Sequence, residues 1–212
     1  GCEKFISWIC GIYMLNESSL SEYEKFAFSL ASAADFLLSE TLFENLLFFE
    51  LGLLMKKGIG EKNAKMLAKI AVAETGFGNE KDKTVKNLFA SKTVYSAICD
   101  LKTVGLISED KQNKIMEFAT PVGVIAGIIP STNPTSTVIY KAMIAIKSAN
   151  PIIFSPHPKA LNCILETIKV IYTAALEAGL PDGAISCISI PTIEATNELM
   201  RHKETNLILA TG

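Results

Sequence analysis

From Met116 onward, short β-branched runs alternate with segments of helical period, and this alternation constrains the fold more than any other feature of the chain. Val122–Ile129 reads as a buried strand that stops at Pro130; Pro134 suits the first turn of the helix that Thr135–Ser148 continues. Pro151–Ser155 is a second run. The helix after Pro158 carries Leu161, Ile164, Leu165, Ile168, Ile171, Tyr172, Ala175 and Leu176 on one side and ends at Gly179 and Pro181. Ala184–Ile190 is a third run, Pro191–Met200 a helix, and Asn206–Ala210 a fourth run before Thr211 and Gly212. Strands joined in this way are parallel, with right-handed crossovers and helices on both faces. The fold class is α/β, a Rossmann-type doubly wound parallel sheet preceded by a helical amino-terminal region. Ligands of such sheets bind outside the carboxyl ends of the strands. Here those ends are Pro130–Pro134, Ser155–Pro158, Ile190–Thr192 and Thr211–Gly212.

The earlier part of the chain reads as helix. Ser21 and Glu24 form a capping box ahead of Tyr23, Phe26, Ala27, Leu30, Ala34, Leu37 and Leu38, and an apolar helix covers Thr41–Met55. Helices over Glu61–Glu74 and Lys83–Cys99 flank the turn Thr75–Asn79; the stripe Val85, Leu88, Phe89 and Tyr95 is interrupted by Lys92. The expected division is a helical lead over 1–58 and an α/β domain over 59–212.

With 212 residues, 49% apolar and a net charge of −2, the chain can bury a substantial core, and it offers no basic surface for nucleic acid. Its five cysteines form no Cys-x-x-Cys pair, so neither a disulfide framework nor a zinc ribbon is signalled, and no metal is expected. A cytoplasmic setting and no membrane span are expected: the greasiest stretch, Phe43–Met55, contains Glu44 and Glu50. The Gly-x-Gly-x-x-Gly fingerprint is absent, since Gly123 and Gly127 fall in a strand.

Three strings go beyond fold class. Ala73-Glu-Thr-Gly-Phe-Gly-Asn79 leading into Lys83-Thr-Val-Lys-Asn-Leu-Phe-Ala90, Pro121-Val-Gly-Val-Ile-Ala-Gly-Ile-Ile-Pro-Ser-Thr-Asn-Pro-Thr-Ser-Thr137, and Ile152-Ile-Phe-Ser-Pro-His-Pro-Lys159 stand in this order, followed by Leu199-Met-Arg-His-Lys203 and Leu207–Gly212. Together they resemble the CoA-acylating aldehyde dehydrogenases, most of all the acetaldehyde dehydrogenase part of bifunctional aldehyde-alcohol dehydrogenases. The resemblance covers roughly residues 60 to 212 and is poor before them.

That resemblance implies interconversion of acetaldehyde, CoA and NAD with acetyl-CoA and NADH. The chemistry needs a low-pKa thiol, oxyanion donors, a nicotinamide held on one face, and room for CoA. It implies a role for Asn133 as an oxyanion donor; read without the resemblance, the same residue is an Asn-Pro turn capping the next helix. It implies cofactor contacts from Pro130, Ser131, Thr132, Ser155, His157, Pro158, Thr211 and Gly212; for His157 the plainer reading is a rigid turn. General relatives place a lysine near the adenosine ribose after the second strand, and Ser155 and His157 stand there instead. The catalytic cysteine of the family lies downstream of the position matching Gly212, and Cys2, Cys10, Cys99, Cys163 and Cys187 read as structural. Glu74, Gly76 and Gly78 read as helix termination and packing. The resemblance also implies homo-oligomers joined through a strand-exchanging hairpin that includes 113–120.

Two readings follow. The chain is the cofactor-binding amino-terminal portion of an acylating aldehyde dehydrogenase, or it is a non-catalytic nucleotide-binding or assembly module or a gene remnant. On the first, Leu207–Leu209 is an interior strand of a larger sheet, and the isolated 212-residue chain would leave it as an apolar edge. The isolated chain is then expected to self-associate in light scattering and to form no NADH from acetaldehyde, CoA and NAD; a clean, active monomer would contradict this.

Overall fold

The computed structural model describes Ile59 and residues 61–211. The expected helices over Ser21–Leu38 and Thr41–Met55, the lead over 1–58, and Gly212 lie outside the described residues. Three helices come first: α1 (Glu61–Thr75), α2 (Glu80–Leu88) and α3 (Val94–Ile98), the last two joined by a π-helical turn at Phe89–Thr93. An antiparallel hairpin follows, β1 (Gly105–Asp110) with β2 (Ile115–Ala119). Then come β3 (Val124–Ile129), α4 (Pro134–Lys147), β4 (Ile152–Pro156), α5 (Leu161–Glu177), β5 (Ile185–Cys187), α6 (Ile193–Arg201) and β6 (Thr205–Leu209).

The four later strands form one parallel sheet in the order β5-β4-β3-β6. From β3 the chain winds outward through β4 to β5, then returns to the far side of β3. The strand order therefore reverses between β3 and β6, the switch point at which open sheets leave a crevice. The large core lies on the face covered by α4 and α5, where Ile125, Ile129, Ile152 and Phe154 meet Val138, Ile139, Ala142, Ile164 and Ile168. A smaller cluster of Val124, Ala126, Ile153 and Leu199 lies under α6 on the other face. Helices on both faces with right-handed crossovers follow from this winding.

The early helices join the main core. In α1 the buried residues Ala64, Leu67, Ala68 and Ala71 have the spacing of one helix face. The sequence expectation for the second helix needs correction. It begins at Glu80 rather than Lys83, and Val85 and Phe89 are 60% and 57% exposed. The buried positions are Lys83, Asn87, Ala90, Ser91 and Tyr95, four of them at four-residue spacing. A strict four-residue spacing drifts about 40° per step around an α-helix of 3.6 residues per turn. The wider π turn absorbs part of that drift and keeps Tyr95 against the core.

Three further features add to or correct the expectation. Residues 105–110, for which the sequence indicated no element, form β1, and the turn into β2 falls where the expected hairpin over 113–120 begins; there Asp110 accepts from the N–H groups of Gln112 and Asn113 and Lys114 takes φ 56°. Neither strand alternates polar and apolar residues, and with both faces of the hairpin exposed there is no burial period to read. The third run is shorter than Ala184–Ile190, with only Ile185–Cys187 paired. Gly123 lies just before β3 rather than in it; it has φ +111° and a Cβ there would meet the Asn206 Oδ1 at 2.1 Å. That Oδ1 accepts from the Val124 N–H at the start of the β3–β6 pairing.

One charge holds the switch point. Lys141 of α4 is fully buried, and its Nζ donates to the carbonyls of Ile128 (2.7 Å) and Leu209 (2.6 Å), at the carboxyl ends of β3 and β6. Burial lowers its pKa to about 8. In the unfolded chain the ammonium keeps its proton to about pH 10.4, so between about 8 and 10 the unfolded state holds more protons and stability rises with pH. Lys141→Met leaves two buried carbonyls without their donor and is expected to destabilise by about 2 kcal/mol at pH 7. Because the variant cannot titrate there, its deficit relative to the parent should widen at pH 9.5 in urea unfolding; a deficit that shrinks with rising pH would contradict this.

Candidate functional site

The register Ile129↔Pro156 sets the loops after β3 and β4 side by side, and Gly127↔Leu209 brings the end of β6 to the other side of β3. Pro130–Asn133, Ser155–Pro158 and Thr211 thus border one crevice, with Thr132 and Thr211 exposed and Pro130, Ser131, Asn133 and His157 half-buried. The turn after β5, Ile190–Thr192, lies farther out beside the edge strand.

Asn133 sits at the amino end of α4 with φ −136° and ψ 59°, and its side chain makes no capping bond to that helix. Its main-chain carbonyl accepts the first intrahelical bond, from the Thr137 N–H, and a second bond from the Thr137 hydroxyl. The side-chain Oδ1 accepts from Lys86 Nζ at 3.0 Å. A lysine only donates, so the atom facing it is the oxygen and the NH2 group turns away from Lys86. The plain capping role for this side chain is therefore not what the structure uses.

α2 fixes the loop from below. Lys83 Nζ donates to the Thr132 carbonyl at 2.7 Å, and its pKa is lowered by burial and then by the charge of Lys86. Asn87 donates through Nδ2 to the Ala64 carbonyl and accepts at Oδ1 from the Thr135 hydroxyl at 2.7 Å. Lys83, Lys86, Asn87 and Lys141 were not singled out from the sequence. The sequence of α2, Glu80–Leu88, is polar on every side, so its inward pair Lys83 and Asn87 carries no signal that sets it apart.

Of the other expected contacts, Ser155 is buried and its hydroxyl is shared with Thr196 of α6 at 2.8 Å, so it is turned toward α6 and not presented at the surface. His157 Nδ1 accepts from the Lys159 N–H and caps a short 3-10 turn at Pro158–Ala160, which leaves Nε2 for any ligand. Pro158 is exposed beside it. His202 ends α6, and its Nδ1 accepts from the Glu204 N–H.

Cys163 is fully buried, and burial followed by the adjacent Glu74 carboxylate pushes its thiol pKa well up. Burial pushes the Cys187 thiol up to about 12. Both are protonated near neutrality and are not thiolate nucleophiles. Cys2 and Cys10 lie outside the described residues. Among the described residues there is no cluster of three His, Cys, Asp or Glu able to hold a metal, and no helix long and apolar enough to cross a membrane.

Glu74 is more specific than a helix terminator. Its two carboxylate oxygens accept from the N–H groups of Asn162 (2.8 Å) and Cys163 (2.7 Å), capping α5 from a distant helix. Glu74→Ala is expected to destabilise by about 1 kcal/mol. It should also speed amide exchange at Asn162 and Cys163; unchanged exchange at both would contradict the capping role.

The sequence profile of the Aldehyde dehydrogenase family matches residues 53–212. The chain is 49% identical over 146 residues to the bifunctional aldehyde-alcohol dehydrogenase AdhE of Escherichia coli (strain K12), an alignment covering 69% of this chain and 16% of that protein. Its fold matches the crystal structure of an acetylating aldehyde dehydrogenase from Geobacillus thermoglucosidasius with a TM-score of 0.85 and 48% identity, covering 93% of this chain and 44% of that one. An engineered glycolyl-CoA reductase with bound NADP+ matches at TM-score 0.73 and 25% identity, over 88% of this chain and 42% of the other. The chain thus spans under half of each of these relatives. With its α/β switch point, its Asn133 loop and this profile match, the chain belongs to the aldehyde dehydrogenase family.

Proposed function

We propose that this chain is the cofactor-binding amino-terminal portion of a CoA-acylating aldehyde dehydrogenase that converts acetaldehyde, CoA and NAD into acetyl-CoA and NADH. The observation that carries the reading is the Asn133 side chain. It borders the crevice, its oxygen is engaged by Lys86 and it makes no bond to its own helix, which leaves its N–H group on the side of the amide away from Lys86. A neutral amide donor set at the end of a strand suits an oxygen that gains negative charge when a thiolate adds to an aldehyde. The chain covers 16% of the bifunctional aldehyde-alcohol dehydrogenase and 44% of the acetylating aldehyde dehydrogenase, which supports reading it as a portion of such an enzyme.

The crevice fits a nicotinamide dinucleotide in two respects: it opens at the switch point between β3 and β6, and the polar Ser131 and Thr132 line its rim. When bound, that cofactor supplies the hydride acceptor. The chain's own part is to hold it, with Pro130–Thr132 and Thr211 on the two sides of the switch point and His157 Nε2 and Pro158 toward its outer end. No glycine-rich turn cradles a diphosphate here, so binding rests on these loops. The β1–β2 hairpin, with Ile115, Met116 and Phe118 each more than half exposed, supports assembly with a second copy of the chain.

The test uses the full polypeptide that carries this segment. It is expected to form NADH from acetaldehyde only when CoA is present, and Asn133→Ala should lower kcat by about 10²–10³-fold with folding intact. Absence of CoA-dependent turnover, with NAD still bound, would favour a non-catalytic nucleotide-binding module. Turnover unaffected by Asn133→Ala would remove the oxyanion assignment.

A further inference from the structure

We infer that Lys86 is a positioning residue for the aldehyde chemistry: it accepts no proton and touches no substrate, but it fixes the Asn133 amide so that the N–H group faces the reacting oxygen. The inference rests on the proposed role of Asn133. Three observations carry it. The Lys86 Nζ to Asn133 Oδ1 distance is 3.0 Å, and since an ammonium has only donors, the amide's other orientation would set N–H against N–H. The helix that Asn133 begins does not restrain this side chain: it makes no capping bond, and the Thr137 N–H and hydroxyl donate to the main-chain carbonyl. The loop itself is held independently, by Lys83 on the Thr132 carbonyl and by Asn87 on the Thr135 hydroxyl.

The division of labour on α2 follows from helix geometry. Lys83 and Lys86 lie three residues apart on neighbouring positions of one face, and Asn87 is four from Lys83. The buried Lys83 holds the Thr132 carbonyl before Asn133 and the buried Asn87 holds the Thr135 hydroxyl after it, while the exposed Lys86 reaches the Asn133 side chain itself. Without Lys86 the backbone would stay in place while the amide rotated about its last torsion, which has two broad minima. Half or more of the molecules would then offer the carbonyl oxygen to a developing negative charge, a repulsive contact in place of a donor. The lysine charge also places positive potential behind that amide and polarises it toward the oxyanion.

The experiment is a comparison of Lys86→Met, Lys86→Arg and Asn133→Ala in the full polypeptide, singly and combined. Lys86→Met is expected to lower kcat for acetaldehyde by about three- to tenfold, the range of an exposed charge-assisted hydrogen bond, and to leave KM within about twofold. Lys86→Arg, which keeps a donor and the charge, should restore most of the loss. In the Asn133→Ala background, Lys86→Met should have no further effect, because the group it positions is gone. An independent readout needs no turnover: the Asn133 side-chain NH2 resonances, assigned by their loss in Asn133→Ala, should shift in Lys86→Met and return in Lys86→Arg. If Asn133→Ala leaves kcat unchanged, the oxyanion reading itself has failed. If Asn133→Ala lowers kcat but Lys86→Met does not, or lowers it by the same factor in both backgrounds, or leaves the NH2 resonances unmoved, the positioning role is overturned.

Discussion

The Lys141 ammonium between the carboxyl ends of β3 and β6 is the constraint on which the crevice depends. The ladder between these strands ends at Gly127↔Leu209, and at that end one buried cation ties them further, donating to the carbonyls of Ile128 and Leu209. Its charge is not neutralised by a carboxylate; it is satisfied by carbonyl dipoles, at a desolvation cost that shows in its lowered pKa. The loop carrying Asn133 begins two residues after Ile128, so the position of the donor follows from this tie.

Around that tie, the polar side chains of α2 set the loop from the side. Lys83 and Asn87 occupy inward positions that a helix packed only against a core would give to apolar residues, and each is matched to a group of the 130–135 segment. No buried side-chain nitrogen or oxygen among the described residues lacks a partner. The polar interior under the crevice is therefore a completed network, which favours one arrangement of the loop over a collection of near alternatives.

Much of the architecture was legible because buried parallel strands read as unbroken apolar runs and their helices as amphipathic repeats. Val124–Ile129, Ile152–Pro156 and the helix from Leu161 followed directly. The misread parts share a physical cause. Val85 and Phe89 were assigned inward by their hydrophobicity, but the inward face is chosen by what it must bind, the loop at 132–135, and a π turn maintains the phase. Of the β1–β2 hairpin only 113–120 was indicated, and by the resemblance alone; both faces are exposed, so burial leaves no period in the sequence that marks β1. At the site, the types and places of Asn133 and its loop were readable, but which atom of its amide is engaged is a three-dimensional fact set by a lysine 47 residues earlier. The same holds for Glu74, whose partners on α5 lie 88 and 89 residues away.

The most direct test of the account is a crystal structure of the full polypeptide with NAD bound. The expected result is a nicotinamide half seated between the Pro130–Asn133 loop and the turn after β6, with the Asn133 Nδ2 directed at the space in front of a cysteine from beyond these residues. A cofactor bound away from the β3–β6 switch point, or an Asn133 amide turned inward to cap α4, would contradict it.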